Sequence, residues 1–275
     1  MANPLTMKLE QFIRFEQAER ERLNELLTYP TKTWTRGQTI IEEGQKVRDI
    51  LLVLTGLAAR TKFLEDGQRQ IMAFLVPGDL CDIEVFVLEA MDHSITAMSD
   101  VTCVMIPATV IEDLLTESSS ITRALWWSTM TDSAILRERI IDQGSRDARE
   151  RMAHLCYEML IRYRMVGETT DGTVPFSITQ EDLADATGLS TIHVHRTLQD
   201  LRSEGLVDLK NKVLTVLDTK GLKEAARFSA NYLHLDRTEK RDPEVAGRVG
   251  DLVPPEHGGL IQGAVEKMKG ALKKD

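Results

Sequence analysis

The stretch SITQEDLADATGLSTIHVHRTLQDLRSEGLV, residues 177–207, decides the fold of the C-terminal part of the chain. Thr179, followed three residues later by Asp182, is an acidic form of the capping box that begins a helix. Gly188 permits a tight turn, and Ser190 is a good cap for a second helix. Two short helices joined by a turn that contains glycine predict a helix-turn-helix.

The second helix of this motif predicts a surface that reads DNA. At about 100° per residue, its aliphatic residues Val194, Leu198 and Leu201 share one side and face the interior. The opposite side exposes Ile192, His195, Arg196 and Gln199. Arginine can donate two hydrogen bonds to guanine, glutamine can pair with adenine, and isoleucine can touch the thymine methyl group. We therefore expect double-stranded DNA as a partner and Arg196 as the leading base contact.

The sequence that follows this helix predicts a wing. LVDLKNKVLTVL, residues 206–217, contains two short β-like runs around Asn211. Lys210 and Lys212 flank the turn, where they would meet DNA phosphates. These charges could instead be solvated on an ordinary helix and hairpin. The helix caps, the turn, the inward-facing aliphatic residues and the wing all agree with one motif, and this agreement favours DNA binding.

Residues 1–117 have the pattern of an antiparallel β-roll or jelly roll. Glycines punctuate this region, and Asp66-Gly67 is a strong hairpin signal. Residues 5–27 carry an apolar pattern compatible with helices packed onto the roll. The β-rich segments are Ile50–Thr55, Ala58–Phe63, Gln70–Val76, Ser94–Met98 and Val101–Ile106. We expect this region to be an effector or sensor-like domain.

Residues 118–143 predict one long helix that begins at the serine cluster of Ser118. It carries too much apolar surface for a solitary exposed helix. The residues that we expect at its interface are Leu125, Trp126 and Ile135. Their partner is either the roll or a second copy of the chain, and we favour a dimerisation helix. Gly144-Ser145 is the predicted hinge before a DNA-binding domain at 144–228.

Composition and charge exclude several classes of protein. The net charge of −9 does not suit a protein that coats nucleic acid non-specifically, so DNA binding needs a local face. The longest aliphatic run, residues 50–54, is far shorter than the about 20 residues that span a bilayer, which predicts a cytoplasmic protein without stable membrane insertion. The three cysteines are widely separated, and no GxSxG, HExxH or P-loop pattern occurs. We expect neither an enzyme nor a metal site.

The chain resembles the Crp/Fnr family of bacterial transcription regulators over about residues 10–230. The resemblance rests on GQTIIEEGQKVRDILLVLTG at 37–56, on PGDL at 77–80 and on the helix-turn-helix. It implies an α+β fold with a cyclic-nucleotide-binding-like jelly roll, a long dimerisation helix and a C-terminal winged helix-turn-helix. It also implies a homodimer that binds a palindromic DNA site and acts with RNA polymerase. The matching motif positions imply base contacts from Arg196, Thr191 and His195 and a phosphate contact from Gln180, to which we add Ser190 at the cap.

The predicted effector cassette departs from the family's nucleotide-binding pattern. There, a Gly-Glu pair and a downstream arginine hold the phosphate and ribose, whereas the corresponding positions here are Asp82, Ile83 and His93. Loss of the arginine and glutamate contacts removes about 1.5–3 kcal/mol each, and Asp82 would repel a phosphate. The rest of this degenerate cassette comprises Glu84, Ser94 and, on the long helix, Leu136 and Arg137. We expect no cAMP binding and leave any small-molecule effector unknown.

Other signals stay open as alternatives. An iron–sulfur cluster is not expected, because no cysteine precedes Cys81. His93 with Asp82 and Glu84 could bind a transition metal or haem, although an ordinary loop histidine is the simpler interpretation. Cys81 could be a redox switch if its thiol were exposed. The rival to a constitutive regulator is therefore a sensor of the same fold that binds DNA only after a redox or other non-nucleotide signal.

Residues 229–275 predict a flexible tail. Its first part, 236–259, is rich in charge, glycine and proline, which is typical of a linker. The sequence GLIQGAVEKMKGALKKD, 259–275, spaces apolar residues as in a short amphipathic helix. That helix could dock on a partner, on its own dimer or on an anionic membrane, or it could remain frayed.

Overall fold

A computed structural model of the chain describes residues 2–81, 83 and 90–235. The helices are α1 (Pro4–Leu9), α2 (Gln17–Glu25), α3 (Ala108–Glu117), α4 (Ser119–Ser145), α5 (Ala148–Met165), α6 (Gln180–Thr187), α7 (Thr191–Ser203) and α8 (Thr219–Ala225), with 3-10 helices at Leu26–Thr28 and Ala230–Leu233. The strands are β1 (Thr31–Trp34), β2 (Thr39–Ile41), β3 (Asp49–Thr55), β4 (Ala58–Phe63), β5 (Arg69–Leu75), β6 (Leu80–Cys81), β7 (Ser94–Ala97), β8 (Val101–Pro107), β9 (Thr173–Pro175), β10 (Val207–Lys210) and β11 (Val213–Val216). The predicted α+β fold is confirmed.

The N-terminal roll consists of two four-stranded sheets, with strand orders β1-β8-β3-β6 and β2-β7-β4-β5. Neighbouring strands are antiparallel, and Leu52 of β3 and Phe74 of β5 are buried in the same core. The chain turns between β4 and β5 at Asp66-Gly67, where Gly67 has a φ of +84°. The five predicted β segments therefore form β3, β4, β5, β7 and β8, while the short strands β1, β2 and β6 were missed.

The N-terminal helices lie between the roll and α4. Leu5 and Leu9 of α1 are fully buried. A Cβ at Gly78 would lie 2.6 Å from the carbonyl oxygen of Pro4, so glycine is what lets this turn of the roll approach α1. Phe12 stacks on Trp127 of α4 with ring centroids 5.3 Å apart. The helices predicted within residues 5–27 are confirmed, and they join the roll to the long helix.

The long helix α4 has 27 residues and is about 40 Å long. The Ser118 hydroxyl accepts a hydrogen bond from the Ile121 N–H at 3.2 Å, which confirms the predicted cap. The helix continues through Gly144 and ends at Ser145, so the hinge predicted there lies inside it, and the break falls at residues 146–147. Asp147, which caps α5, then starts the next helix.

The interface predicted on α4 needs a correction. Leu125 and Ile135 are buried within the chain, with 1% and 3% of their surfaces exposed, so they cannot face a second copy. They point to the inner side of α4, where they join the main hydrophobic core. Trp126 lies on the outer side and is 61% exposed. Of the three predicted interface residues, it alone is accessible to a partner.

Buried ion pairs hold α4 against α5. Arg139 of α4 donates to Asp142 at 2.8 Å and to Glu158 of α5 at 2.9 Å. The Tyr232 hydroxyl donates to the second oxygen of Glu158 at 2.9 Å. Burial would raise the pKa of Glu158, but the positive charges of Arg139 and Arg162 outweigh it and hold the pKa below its ordinary value. Glu158 therefore stays charged and ties the long helix to the DNA-binding half.

The last described residues pack onto the fold. Leu233 and Leu235 are buried, and Phe228 and Tyr232 surround the ring of His154. The prediction that a flexible tail begins at residue 229 is therefore wrong for this segment, because its aromatic and aliphatic side chains complete the core. The predicted linker at 236–259 and amphipathic helix at 259–275 lie outside the described residues. Within the described chain, no helix is both long and apolar enough to cross a membrane.

Candidate nucleic-acid interface

Helices α6 and α7 form the predicted helix-turn-helix. The Thr179 hydroxyl accepts from the Asp182 N–H at 3.1 Å, and the Asp182 carboxylate accepts from the Thr179 N–H at 2.9 Å, which completes the capping box. Gly188 adopts a left-handed φ of +67° at the end of α6. Leu183 of α6 and Val194 of α7 are fully buried between the helices and their neighbours. Local sequence therefore sets the angle at which α7 is presented.

The outer side of α7 carries the predicted base-reading residues. Ile192 is 72% exposed, which is a large apolar exposure for an isoleucine. Its exposed companions on α7 are Thr191, His195, Arg196 and Gln199. Val194 and Leu201 are buried on the inner side, while Leu198 is only partly buried. The structure thus brings the five predicted base-contact residues together on one accessible face.

Polar contacts at the start of α7 orient two histidines. Ser190 caps α7 by accepting from the His193 N–H at 3.3 Å, and its hydroxyl lies 3.1 Å from the His193 Nδ1. The Gln180 side-chain amide of α6 lies 3.4 Å from the His195 Nδ1. If the amide N–H donates, the His195 proton is on Nε2, which then offers a donor to a base or phosphate acceptor. Sequence reasoning missed His193, which is exposed at the edge of the base-reading face.

The wing is the hairpin of β10 and β11, completed by β9 as a third strand. Asn211 and Lys212 at its tip have φ of 52° and 62°, as in the tight turn that favours asparagine. The Lys210 Nζ lies 2.7 Å from Asp208, so its charge is partly balanced. Lys212 is exposed and forms no ion pair with the described residues. Lys212 is therefore the better placed of the two predicted phosphate contacts.

The roll holds α6 through a group of residues that we name the tether: Arg36, Arg69, Gln70, Asp182 and Asp185. Arg69 donates to Asp182 at 2.6 Å and to Asp185 at 2.7 Å. Arg36 donates to the other Asp182 oxygen at 2.5 Å, and the Gln70 amide donates to the Asp185 carbonyl at 2.6 Å. Burial would raise the pKa of Asp182, but hydrogen bonds from Thr179 and the two arginines hold it below its ordinary value. Sequence reasoning missed these roll residues.

The predicted effector cassette does not converge on one site in the described chain. Asp82 and Glu84 lie outside the described residues. Ile83 packs partly buried against the core, and the His93 Nδ1 lies 2.6 Å from Asp92. Ser94 begins β7, where its hydroxyl accepts from the Glu43 N–H at 3.0 Å. Leu136 and Arg137 are exposed on α4, and Arg137 lies on the side opposite to the roll.

Side chains of the described chain bridge the roll and α4. The Lys8 Nζ donates to Asp79 of the roll at 2.8 Å and to Ser128 of α4 at 2.9 Å. The Arg60 Nη2 donates to Asp132 of α4 at 3.2 Å. The cavity that remains beside Arg60, Ser128 and Asp132 measures about 10 Å³ among the described residues. Pockets for drug-sized and cofactor ligands measure roughly 300–1,000 Å³, so this cavity is much smaller than such a pocket.

The cysteines and acidic residues offer no inorganic site in the part of the chain that is described. Cys81, Cys103 and Cys156 are buried and form no disulfide in the described chain. Burial raises the pKa of the Cys156 thiol to about 12, which disfavours the reactive thiolate. Among the described residues, no group of three histidine, cysteine, aspartate or glutamate side chains could hold a metal ion.

Comparisons with known proteins match both halves of the chain. The cyclic nucleotide-binding domain family matches residues 31–118, and the Crp-like helix-turn-helix domain family matches residues 150–225. The transcriptional activator protein FnrL of Cereibacter sphaeroides is 27% identical over 202 residues, covering 72% of this chain and 80% of FnrL. The nitrogen fixation regulation protein FixK of Azorhizobium caulinodans is 26% identical over 176 residues, covering 64% of this chain and 70% of FixK. The solved structure of FixK2 from Bradyrhizobium japonicum shares the fold, with a TM-score of 0.64, 22% identity, and coverage of 73% of this chain and 98% of FixK2.

Proposed function

The chain belongs to the Crp/Fnr family of DNA-binding transcription regulators, and we propose that it acts as a homodimer on a palindromic DNA site, with RNA polymerase and without cyclic AMP. The relatives are regulators and not enzymes, which confirms that this chain is not an enzyme. FnrL is named as a transcriptional activator. An activator must affect RNA polymerase, so we extend that partner to this chain.

The exposed face of α7 is the observation that carries the proposal. Arg196 and Gln199 supply the side chains that recognise guanine and adenine, and Ile192 supplies an apolar contact for a thymine methyl group. A good bidentate contact provides about 1–3 kcal/mol of discrimination between bases. Gln180, Ser190 and Lys212 surround this face as phosphate contacts that set its register. Lys210 adds a weaker contact, because Asp208 shares its charge.

The outer side of α4 supports the homodimer. Trp126, Met130 and Ile140 are 61%, 52% and 73% exposed. They are separated by 4 and 10 residues, so they fall on one line of alternating steps of four and three residues, which is the spacing of the seam of a two-stranded coiled coil. Burying such side chains against a second copy removes apolar surface from water at about 25 cal/mol per Å². A two-fold axis along α4 would relate two copies of α7, which matches a palindromic site.

The direct contacts that bridge the roll and α4 support nucleotide independence. Lys8 and Arg60 already supply the charges that bridge the roll to Ser128 and Asp132 of α4. Burial would raise the pKa of Asp79, but the charges of Lys8 and Arg162 outweigh it and keep this carboxylate ionised. The bridge is therefore built into the chain, and no cAMP or iron–sulfur cluster is needed to join the two elements.

Selection from a random duplex library tests this function. The purified full chain, with no effector added, is incubated with the library at low and near-physiological salt, beside the Arg196→Ala variant. We expect a palindrome that only the unmutated chain enriches, because Arg196 is exposed and its loss removes a base contact without disturbing the core. Equal enrichment by both proteins would show that α7 does not read the site through Arg196.

A second candidate, a sensor that binds DNA only after a signal, is favoured by the tether. Arg36 and Arg69 fix α6 to the roll, so a signal that moves the roll would move α7 as well. If this gate operates, the unmutated chain enriches no DNA, whereas Arg69→Met enriches a palindrome because α6 is released. If the regulator is constitutive, both proteins enrich the same palindrome. A redox form of the gate would need Cys81 to become exposed, since it is now fully buried.

A further inference from the structure

The outer seam of α4 has a polar middle. The seam consists of positions spaced by three and four residues on the side opposite to the roll: Arg123, Trp126, Met130, Ser133, Arg137, Ile140 and Gly144. The seam has two charged residues, Arg123 in the first turns of α4 and Arg137 in the middle. Arg137 follows Ser133 by one turn. Apolar Met130 and Ile140 flank this pair on either side. A seam meant only for hydrophobic contact would carry apolar residues here.

The charge of Arg137 is not balanced within the described chain. Its neighbour Glu138 pairs with Arg146 at 2.6 Å, and the nearby Asp142 pairs with Arg139 at 2.8 Å. The side chain of Arg137 is exposed and forms no ion pair with the described residues. Both nearby carboxylates on α4 are thus committed to the inner network, and Arg137 is left to interact with something outside one chain.

In a two-fold dimer, seam residues face their own copies, so the two Arg137 side chains meet near the axis. Two like charges about 4 Å apart in water repel by about 1 kcal/mol, and by more in a partly dry interface. An anion between them would replace this repulsion with attraction to both guanidinium groups. A planar guanidinium group donates paired hydrogen bonds to two oxygens of phosphate and related oxyanions, and the Ser133 hydroxyls can add further donors.

We propose that the Arg137 and Ser133 side chains of two copies form a binding site for a doubly charged oxyanion, of the phosphate or sulfate class, on the dimer axis. The proposal rests on the homodimer of the proposed function. Bound anion neutralises the two guanidinium groups and tightens the dimer. Without it, the polar layer weakens the dimer and fixes the register of the two helices, as a polar residue in a coiled-coil seam does.

Sedimentation equilibrium of the full chain tests this site. The dimer dissociation constant is measured in chloride, sulfate and phosphate buffers of equal ionic strength. We expect sulfate or phosphate to tighten the unmutated dimer about tenfold relative to chloride, which corresponds to about 1.4 kcal/mol. The variant Arg137→Leu should dimerise more tightly than the unmutated chain in chloride and should lose its dependence on the anion. Leucine is a good helix former, so α4 should persist, as circular dichroism would verify.

Two control variants separate the site from general charge effects. Lys46→Leu removes one exposed positive charge outside α4 and should keep the full response to sulfate. Arg123→Leu removes the seam charge near the open end of α4, where water screens it, and should change the response much less than Arg137→Leu. A dimer that is indifferent to the anion in the unmutated chain would overturn the site alone. A chain that is monomeric in every buffer would overturn the homodimer and the site together.

Discussion

Arg69 of the roll donates from Nε to the Asp185 carboxylate of α6 at 2.7 Å, and a double-mutant cycle measures how strongly this contact joins the two domains. The cycle compares Arg69→Met, Asp185→Asn and the double variant with the unmutated chain. Asp185 lies inside α6 and does not take part in the capping box, so its replacement leaves the start of the helix intact. The coupling free energy isolates the pair from the effects of each substitution alone.

The burial of the pair sets the expected magnitude. The Arg69 and Asp185 side chains are 23% and 27% exposed, which is intermediate between a surface pair and a buried one. Exposed pairs contribute about 0.2–1 kcal/mol, whereas breaking a buried pair costs about 3–5 kcal/mol. When Arg69 is lost, Arg36 still pairs with Asp182. The Asp185 carboxylate loses its partner but is 27% exposed, so water can solvate it. We expect a coupling free energy of about 1–2 kcal/mol.

A matched surface pair provides the control cycle. Lys62 and Glu43 lie 2.6 Å apart but are 41% and 45% exposed, so Lys62→Met and Glu43→Gln should couple by no more than about 0.5 kcal/mol. Urea unfolding followed by far-ultraviolet circular dichroism measures both cycles in the same buffer. A coupling between Arg69 and Asp185 that equals the control would refute the view that the roll holds α6 through the tether.

The tether should also weaken in acid. The pKa of Asp182 is held below its ordinary value of 3.8, against the opposing effect of burial, by hydrogen bonds from Thr179 and from the two arginines. A carboxyl whose pKa is lower in the folded state stabilises the fold fully above its unfolded pKa of about 4, and this stabilisation is lost as the pH falls through the folded value. The protection of the α6 amides against hydrogen exchange should therefore fall below about pH 4. It should fall by less in Arg69→Met.

Three further outcomes follow from the buried network between α4 and α5. Replacing Arg139 with Met removes the one guanidinium that pairs with both Asp142 and Glu158, and leaves their buried charges only partly balanced by Arg146 and Arg162. The free energy of unfolding should fall by about 3 kcal/mol in thermal melts, and a loss below about 1 kcal/mol would speak against a charged network. Tyr232→Phe removes the hydroxyl that donates to Glu158 and should cost about 1.5–3 kcal/mol by urea unfolding, whereas an unchanged midpoint would mean that water replaces it. Burial lowers the pKa of His154 to about 3, so the unfolded chain takes up a proton below about pH 6.5 that the folded chain does not. Stability should then fall by up to about 1.4 kcal/mol per pH unit from pH 6.5 to 5, and His154→Phe, whose ring still packs on Phe228, should lose that slope.

Local signals made the helix-turn-helix and the roll predictable. The capping box at Thr179, the left-handed Gly188 and the phase of α7 each depend on residues within a few positions. The outward set of α7 follows directly from that phase, which is why the exposed residues match the prediction. His193 was missed because it lies at the border between the exposed and buried sides.

Contacts between distant parts of the chain were not predictable in the same way. Arg69 and Asp185 are 116 positions apart, and nothing local to either one marks them as partners. On α4, both the inner and outer sides carry apolar residues, so periodicity alone could not tell that Leu125 and Ile135 face the roll while Trp126 faces outward. The arrangement of the roll relative to α4 decides that question.

Binding of the purified chain to its selected palindrome, measured by fluorescence anisotropy with stoichiometry, tests the central claim most directly. The claim is that α7 reads DNA through Arg196 in a dimer. We expect two chains on each duplex, weaker binding to a single half-site, and a loss of about 1–3 kcal/mol in Arg196→Ala at the palindrome but not at unrelated DNA. Equal affinity of the unmutated chain and Arg196→Ala for the palindrome would contradict it.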